Sequence, residues 1–281
     1  MSEKNNQVWF ITGTNKGMGA EIAKEALSKG YKVVATARNS ESARQILGNS
    51  PNLLIVSLDI TNDEQVQSAV TAAVNRFGRI DVLVNNAGYA LLGFFEEMSE
   101  SLIRQQMETN VFGTMKVTRT VLPIMRKQGS GMIVVFSSTS GIRAVGGSSI
   151  YSASKFALEG WTEGLNADLK PFGIRCLLVE PGPFRTDFAN FETSLKFTDI
   201  EIDDYKEQRE ALYKTFSSLH QNQPGDPAKL ARALMPVVNA SNPPLRFLAG
   251  KAAVNAVDQY FAARGEEYKT WRELSSSTDF D

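Results

Sequence analysis

Tyr151 and Lys155 stand four residues apart in Tyr151-Ser152-Ala153-Ser154-Lys155. On a helix that spacing puts both on one face. A free phenol titrates near about 10 and is a slow proton donor or acceptor at neutral pH. An ammonium beside it stabilises the phenolate and draws that value down, and each tenfold gain in acidity takes about 1.4 kcal/mol of differential interaction. Such a pair can move a proton to or from an oxygen that alternates between carbonyl and alcohol. Ser138 lies 13 positions before Tyr151, just past an apolar run. Its hydroxyl could hydrogen-bond a carbonyl as negative charge develops there, or cap its own backbone. Asn110 falls inside a long helix-period stretch, where asparagine is a mediocre helix former. It either holds a water near Lys155 or bonds a neighbouring carbonyl. A Tyr-x-x-x-Lys spacing alone commonly marks an exposed helix pair, so its meaning rests on its surroundings.

A second constellation lies near the N-terminus, in Thr12-Gly13-Thr14-Asn15-Lys16-Gly17-Met18-Gly19. Glycines there permit a tight turn and close approach of a pyrophosphate to the backbone, and the helix that follows offers free N–H groups and a positive dipole end. The spacing is Gly-x-x-x-Gly-x-Gly rather than the commoner Gly-x-Gly-x-x-Gly. The segment Ala35-Thr36-Ala37-Arg38-Asn39 has no acidic residue to bind adenosine ribose hydroxyls. It has Arg38, while Lys16 sits in the glycine loop. Two cations at that place favour a 2′-phosphate, which arginine can grip with paired hydrogen bonds. NADP(H) is therefore expected over NAD(H). Asp59-Ile60 could fit against an adenine, although Asp59 could also cap a turn. The small residues of Asn85-Asn86-Ala87-Gly88 would let the backbone pass close to a cofactor.

These groups need a scaffold, and the hydropathy pattern supplies one. Apolar runs at Val8–Thr12, Lys32–Ala37, Leu53–Leu58, Asp81–Asn85, Met132–Phe136, Ile174–Val179 and Leu245–Leu248 read as strands buried on both faces of a parallel sheet. Helix-period segments alternate with them at Gly17–Lys29, Ser40–Leu47, Asp63–Phe77, Ser99–Lys127, Ile150–Lys170, Asp226–Asn239 and Lys251–Glu267. Such alternation predicts an α/β fold with a doubly wound parallel sheet of about seven strands and helices on both faces, the Rossmann-type arrangement. One domain over residues 1–281 is expected, with an irregular insertion at about 183–223 that acts as a substrate loop or lid.

Composition narrows the function classes. Lys plus Arg number 30 against 31 Asp plus Glu, so no basic excess points to nucleic acid or a membrane surface. No apolar stretch reaches the roughly 18–20 residues of a membrane span, and Met1–Gln7 lacks the apolar core of a signal peptide. A cytoplasmic location is the expectation. One cysteine, Cys176, rules out an internal disulfide and reads as a core thiol. One histidine, His220, leaves no histidine triad or zinc cluster, and no metal site is expected.

The ordered set Thr12-Gly13-x-x-x-Gly17-x-Gly19, Asn85-Asn86-Ala87-Gly88, Asn110, Ser138, Tyr151-x-x-x-Lys155 and Pro181-Gly182 followed by Thr186 resembles the short-chain dehydrogenase/reductase family from Val8 to Thr186. The resemblance implies that Tyr151 is the general acid in reduction and the base in oxidation. It implies that Lys155 binds the nicotinamide ribose and lowers the tyrosine pKa, that Ser138 polarises the carbonyl, and that Asn110 positions water in a proton relay. Thr186 would contact the nicotinamide carboxamide. Lys16 and Arg38 match the family's NADP(H)-preferring pattern. Val179-Glu180-Pro181-Gly182-Pro183-Phe184-Arg185-Thr186 and the tail around Trp271-Arg272-Glu273-Leu274 and Ser277-Thr278-Asp279-Phe280 are similar to a bacterial branch near the 17β-hydroxysteroid dehydrogenases. That likeness does not fix a substrate.

The implied enzyme is a carbonyl reductase or alcohol dehydrogenase. A non-catalytic NADP(H)-binding sensor or scaffold on the same fold is the alternative. Phe184, Phe188, Phe191, Leu195, Phe197, Ile200, Tyr205, Leu212, Tyr213 and Phe216, with Leu91, Leu92, Phe94, Phe95, Val145 and Ile150, could line an apolar pocket. A hydrophobic ketone, aldehyde or secondary alcohol is the expected small-molecule partner. The helices holding Asn110 and Tyr151 could pair with a second copy, giving a homodimer or homotetramer.

Overall fold

The computed structural model describes residues 6–189 and 194–280. The strands are β1 (Val8–Thr12), β2 (Lys32–Ala37), β3 (Leu53–Ser57), β4 (Val82–Asn85), β5 (Ala90–Leu92), β6 (Gly131–Phe136), β7 (Ile174–Pro181), β8 (Leu195–Phe197) and β9 (Arg246–Ala249). The helices are α1 (Gly17–Ser28), α2 (Ser40–Leu47), α3 (Asp63–Phe77), α4 (Glu100–Met107), α5 (Thr114–Gln128), α6 (Ser149–Leu169), α7 (Lys206–Leu219), α8 (Pro227–Val238) and α9 (Lys251–Ser276).

Seven strands form one sheet in the order β3-β2-β1-β4-β6-β7-β9, and every neighbouring pair is parallel. The seven apolar runs of the sequence become these seven strands. Alternate residues of β1 show why the sheet is covered on both sides. Val8 and Phe10 pack with Val66, Val70, Val121 and Leu158 of α3, α5 and α6. Trp9 and Ile11 pack with Ile22, Ala23, Leu230 and Leu234 of α1 and α8. All four β1 side chains are fully buried, each contributing roughly 1.5–3 kcal/mol of apolar transfer free energy.

Helix starts follow the side-chain chemistry. Asn39 caps α2 by accepting from the amides of Glu41 and Ser42, Asn62 caps α3 through Gln65, and Asp226 caps α8 with Pro227 next in line. The helix α1 has no side-chain cap at Lys16, so its first-turn N–H groups stay unpaired by side chains.

Three features depart from the sequence pattern. The expected Ser99–Lys127 helix is two helices joined by a π-helical stretch, Glu108–Gly113, that carries Asn110. Residues 183–223 contain α7 and the short strand β8, which pairs in parallel with β5 as a separate two-stranded sheet. The final helix runs on to Ser276. Strands of three residues carry too few positions to show a period, and the π-helical stretch keeps a helical period while adding one residue to the turn.

Candidate active site

The order of the sheet reverses between β1 and β4, the switch point where ligands bind beyond the carboxyl ends of open α/β strands. A cavity of about 980 Å³ opens there. It runs from Gly13, Lys16 and Arg38 past Asp59, Ile60 and Ala87 to Ser138, Tyr151, Lys155, Gly182 and Thr186. Thus the glycine loop and the Tyr–Lys pair, far apart in sequence, face one space.

The glycine loop is clamped from β4. Asn86 Nδ2 donates to the carbonyls of Thr12 and Gly13 at 2.9 and 3.0 Å, and the amides of Asn86 and Ala87 both donate to Thr12 Oγ1 at 3.0 Å. A side chain cannot enter this junction. A Cβ on Gly19 would meet the Gly13 carbonyl oxygen at 2.2 Å and Asn86 Nδ2 at 2.4 Å. Gly13 also holds φ at +72°, a conformation that favours glycine. Asn15, Gly17 and Met18 line the cavity beside it. The loop and the uncapped start of α1 therefore form a cradle of backbone N–H groups that fits a pyrophosphate.

Lys16 and Arg38 meet at the same end. Burial lowers the Lys16 pKa, Asp187 raises it in part, and the nearby positive charge of Arg38 lowers it further. Two cations close enough to repel form a site that an anion relieves. Asp59 turns its carboxylate onto its own chain, accepting from the Thr61 amide at 2.9 Å and the Thr61 hydroxyl at 2.7 Å. It caps a turn and, with Ile60 and Thr61, also lines the cavity.

At the other end, Ser138, Tyr151 and Lys155 are nearly buried, at 9, 8 and 8% exposure. Ser138 follows β6, and its Oγ accepts from the Ser140 amide at 3.1 Å, which fixes the loop. Tyr151 and Lys155 share a face of α6, with Nζ 5.8 Å from the phenol ring centre. Lys155 donates to the Phe136 carbonyl at 2.8 Å. Burial pushes the Tyr151 phenol up to about 12, and its hydrogen bond with the Ser138 side chain pulls the other way. Burial also draws Lys155 down to about 8, opposed by the negative charge of Glu159 one turn on. Desolvation therefore dominates at the phenol, and the Ser138 hydrogen bond opposes it.

Asn110 is 1% exposed and its amide is fully engaged. Its Oδ1 accepts from the Tyr89 amide at 3.1 Å, and Nδ2 donates to the Tyr89 carbonyl at 2.9 Å and to Ser154 Oγ at 3.2 Å. The bonding of Asn110 to a neighbouring backbone is present, and the side chain ties the Tyr89 segment to α6. Thr186 lies against Gly17, and Pro181 and Gly182 form the adjoining wall.

Of the expected apolar lining, Phe184, Phe188, Leu195 and Phe216 reach the cavity. Phe94 instead stacks on Tyr205 at 4.9 Å and Phe197 packs on Tyr213 at 5.4 Å. Phe191 lies outside the described residues. Tyr89, Ser194, Lys196, Leu219 and Gln223 also form the cavity wall, and the sequence did not single them out. Tyr89 could have been found from its place just after Gly88. Gln223 carries no local signal, since only the folding of the segment between β7 and α8 brings it back to Phe184. Among the described residues, no group of three or more histidine, cysteine or acidic side chains could hold a metal. None of the described helices is long and apolar enough to cross a membrane.

Comparison with known proteins agrees with this geometry. The short chain dehydrogenase family model matches residues 7–195. The 3-ketodihydrosphingosine reductase of Bacteroides thetaiotaomicron is 34% identical over 244 residues, covering 87% of this chain and 88% of its own length. A short-chain dehydrogenase structure from Streptomyces avermitilis superposes with a TM-score of 0.89 at 39% identity, covering 98% of this chain and 99% of that one. A Burkholderia phymatum short-chain dehydrogenase/reductase in complex with NAD gives a TM-score of 0.80 at 25% identity, covering 92% of this chain and 94% of that one. The chain is an oxidoreductase of the short-chain dehydrogenase/reductase family.

Proposed function

We propose that this protein is an NADP(H)-dependent enzyme that interconverts a ketone or aldehyde with its alcohol, on a substrate that is mostly apolar. The observation that carries the reading is the convergence of Ser138, Tyr151 and Lys155 on the cavity whose other end holds the glycine cradle, Lys16 and Arg38. The cradle and α1 would hold the pyrophosphate, Arg38 and Lys16 the adenosine 2′-phosphate, and Lys155 and Thr186 the nicotinamide end. When bound, the nicotinamide supplies or accepts the hydride, and in its oxidised form adds a positive charge to the site.

The chain's own residues do the rest. Ser138 orients the carbonyl oxygen and donates a hydrogen bond to it. Tyr151, kept protonated by burial, gives its proton to that oxygen during reduction and takes it back during oxidation. Lys155, charged at neutral pH with a pKa of about 8, stabilises the phenolate that remains. Asn110 holds Tyr89 and Ser154 in place behind them. Phe188, Leu195, Phe216 and Leu219 exclude water and favour an apolar substrate body. The similarity to a 3-ketodihydrosphingosine reductase supports a ketone as the reacting group. Exposed Phe112 and Phe156, on the segments that carry Asn110 and Tyr151, support pairing of those helices with a second copy.

Tyr151→Phe tests the assignment. It should lower turnover of ketones by roughly 10²–10⁴-fold, the typical contribution of a general acid, while NADPH still binds. Near wild-type turnover in this variant would remove Tyr151 from the chemistry.

A further inference from the structure

The last helix, α9, docks on the body by its first turns and leaves the rest of its length open. Ala253 and Val257 are its buried residues, and Ala253 lies against Gly182 just past β7. Among the described residues, none beyond Val257 is buried. From Asp258 to Ser276 the helix runs on for about 28 Å at roughly 1.5 Å per residue. Phe261, Tyr268, Trp271 and Leu274 on this stretch are 57 to 62% exposed. Helices in proteins draw most of their stability from packing an apolar face, and here that face is open.

The exposed aromatics continue the stripe that docks the helix. Val254, Val257, Phe261, Arg264, Tyr268 and Trp271 follow one another in alternating steps of three and four, the heptad spacing of a coiled-coil seam. Arg264 lies along this stripe, donating from Nε to Tyr268 Oη at 2.7 Å and from Nη1 to Tyr260 Oη at 3.3 Å. A groove on the helix is lined by Glu267, Tyr268, Trp271, Arg272, Ser275 and Ser276. Within it, Tyr268, Trp271, Arg272 and Ser275 are spaced i, i+3, i+4 and i+7, as are the four residues that make a hole for a partner helix's knob.

The flanking charges select what fills that hole. Asp258, Gly265 and Arg272 stand seven residues apart along one side of the stripe, and Asp258 and Arg272 are exposed. We propose that α9 beyond Val257 is a self-association surface, pairing antiparallel with α9 of a second copy of this chain about a two-fold axis near Gly265. In that register Asp258 faces the partner's Arg272, and Arg272 faces the partner's Asp258. Phe261 enters the partner's groove, and Arg264 meets the partner's Tyr268. A Cβ on Gly265 would have nothing within 4 Å, so the helix is bare where the two backbones cross. On the other flank Tyr260 faces the partner's Leu274. The two Glu267 side chains meet near the axis, with an Arg264 from each chain beside them. A parallel copy would instead set Arg264 on the partner's Arg264, two like charges in the seam. The antiparallel contact is isologous and closes on itself, and it is separate from pairing through α5 and α6.

Sedimentation equilibrium over a wide concentration range reads the association. The wild type should show a concentration-dependent step in which its mass doubles. Asp258→Arg and Arg272→Asp each set like charges against one another at both ends of the pair, and each should raise the dissociation constant of that step by about tenfold or more. The two substitutions combined should return it to near the wild-type value. Trp271→Ser should raise it by about 100-fold, because it strips one buried ring from each of two symmetry-related contacts. None of these residues lines the cavity and all three are exposed, so the unfolding midpoint of the dilute, unassociated variants should match the wild type. A wild type with no such step overturns the proposal. A step that Trp271→Ser leaves unchanged belongs to α5 and α6 and overturns it too. Weakening by both single charge variants that the double variant fails to restore overturns the antiparallel register.

Discussion

Burial disfavours the charged form of both groups proposed to react. It pushes Tyr151 up to about 12 and Lys155 down to about 8. A neutral phenol and a charged lysine are the forms that reduction requires, and they coexist below pH 8. The cofactor end is governed by charge instead. Lys16 has its pKa lowered by burial, with Arg38 adding to that and Asp187 opposing it, so Arg38 contributes repulsion in the free protein and attraction once a phosphate sits between the two cations. Removing that cation should therefore cost NADPH and not NADH. Arg38→Asp is expected to weaken NADPH binding by at least about tenfold, since charge-assisted bonds of this kind contribute about 1.5–3 kcal/mol. It should leave NADH binding unchanged or tightened, because aspartate can accept from ribose hydroxyls. Equal losses on both cofactors in parallel titrations would count against a 2′-phosphate at this place.

At the scale of elements, the segment around α7 is tied to the main body by a set of polar contacts. The helix α7 has no fully buried residue. Arg209, on α7, pairs with Glu97, which is 0% exposed and also accepts from the Ile202 amide at 3.0 Å. Asp199 accepts from the Ser99 hydroxyl at 2.6 Å, and Tyr205 donates to Glu96 at 2.5 Å. Removing one partner of a buried ion pair leaves the other charge unpaired, at a cost of about 3 kcal/mol or more. In a segment with little apolar anchoring, that cost favours detachment. Arg209→Met should expose residues 199–219 to limited proteolysis and raise KM for a ketone by about tenfold, while NADPH affinity holds, because Glu97 and Arg209 lie away from the glycine cradle. Unchanged proteolysis and KM would show that the aromatic contacts alone hold α7. The sequence could not reveal this attachment. Its seven strands were legible because each is a continuous apolar run buried on both faces, and Ser138, Tyr151 and Lys155 were legible because their order along those strands is fixed. The pairing of Glu97 with Arg209 and of Gln223 with Arg185 joins positions about 40 to over 100 apart, and no local period announces such a contact.

Across the whole molecule, the helix that carries Tyr151 and Lys155 rests on a partly buried charge cluster that ties three elements together. Glu159 of α6, Glu180 near the end of β7 and Arg246 of β9 converge, with Arg246 Nε 3.1 Å from Glu159 and 3.5 Å from Glu180. Glu163 completes the set at 2.5 Å from Arg246 Nη2. Desolvation pushes Glu180 up from its ordinary value of 4.5 to about 7, reinforced by the charge of Glu159 and opposed by that of Arg246. A carboxyl raised in the folded state holds its proton where the unfolded chain has released it. Its contribution to stability is present in full below pH 4.5 and is lost as pH rises through 7. Glu180 is 1% exposed, so solvent screens little of this effect. Glu180→Gln keeps the size and a hydrogen-bonding amide but cannot ionise. The variant should therefore lose this decline, and its advantage over the wild type should grow between pH 4.5 and pH 7. Denaturant unfolding of both proteins across that range measures the difference directly, and the subtraction removes every other group that titrates there. Parallel curves would mean that Arg246 holds Glu180 at its ordinary pKa, making the cluster an ionic staple for α6 with no linkage of its own to pH.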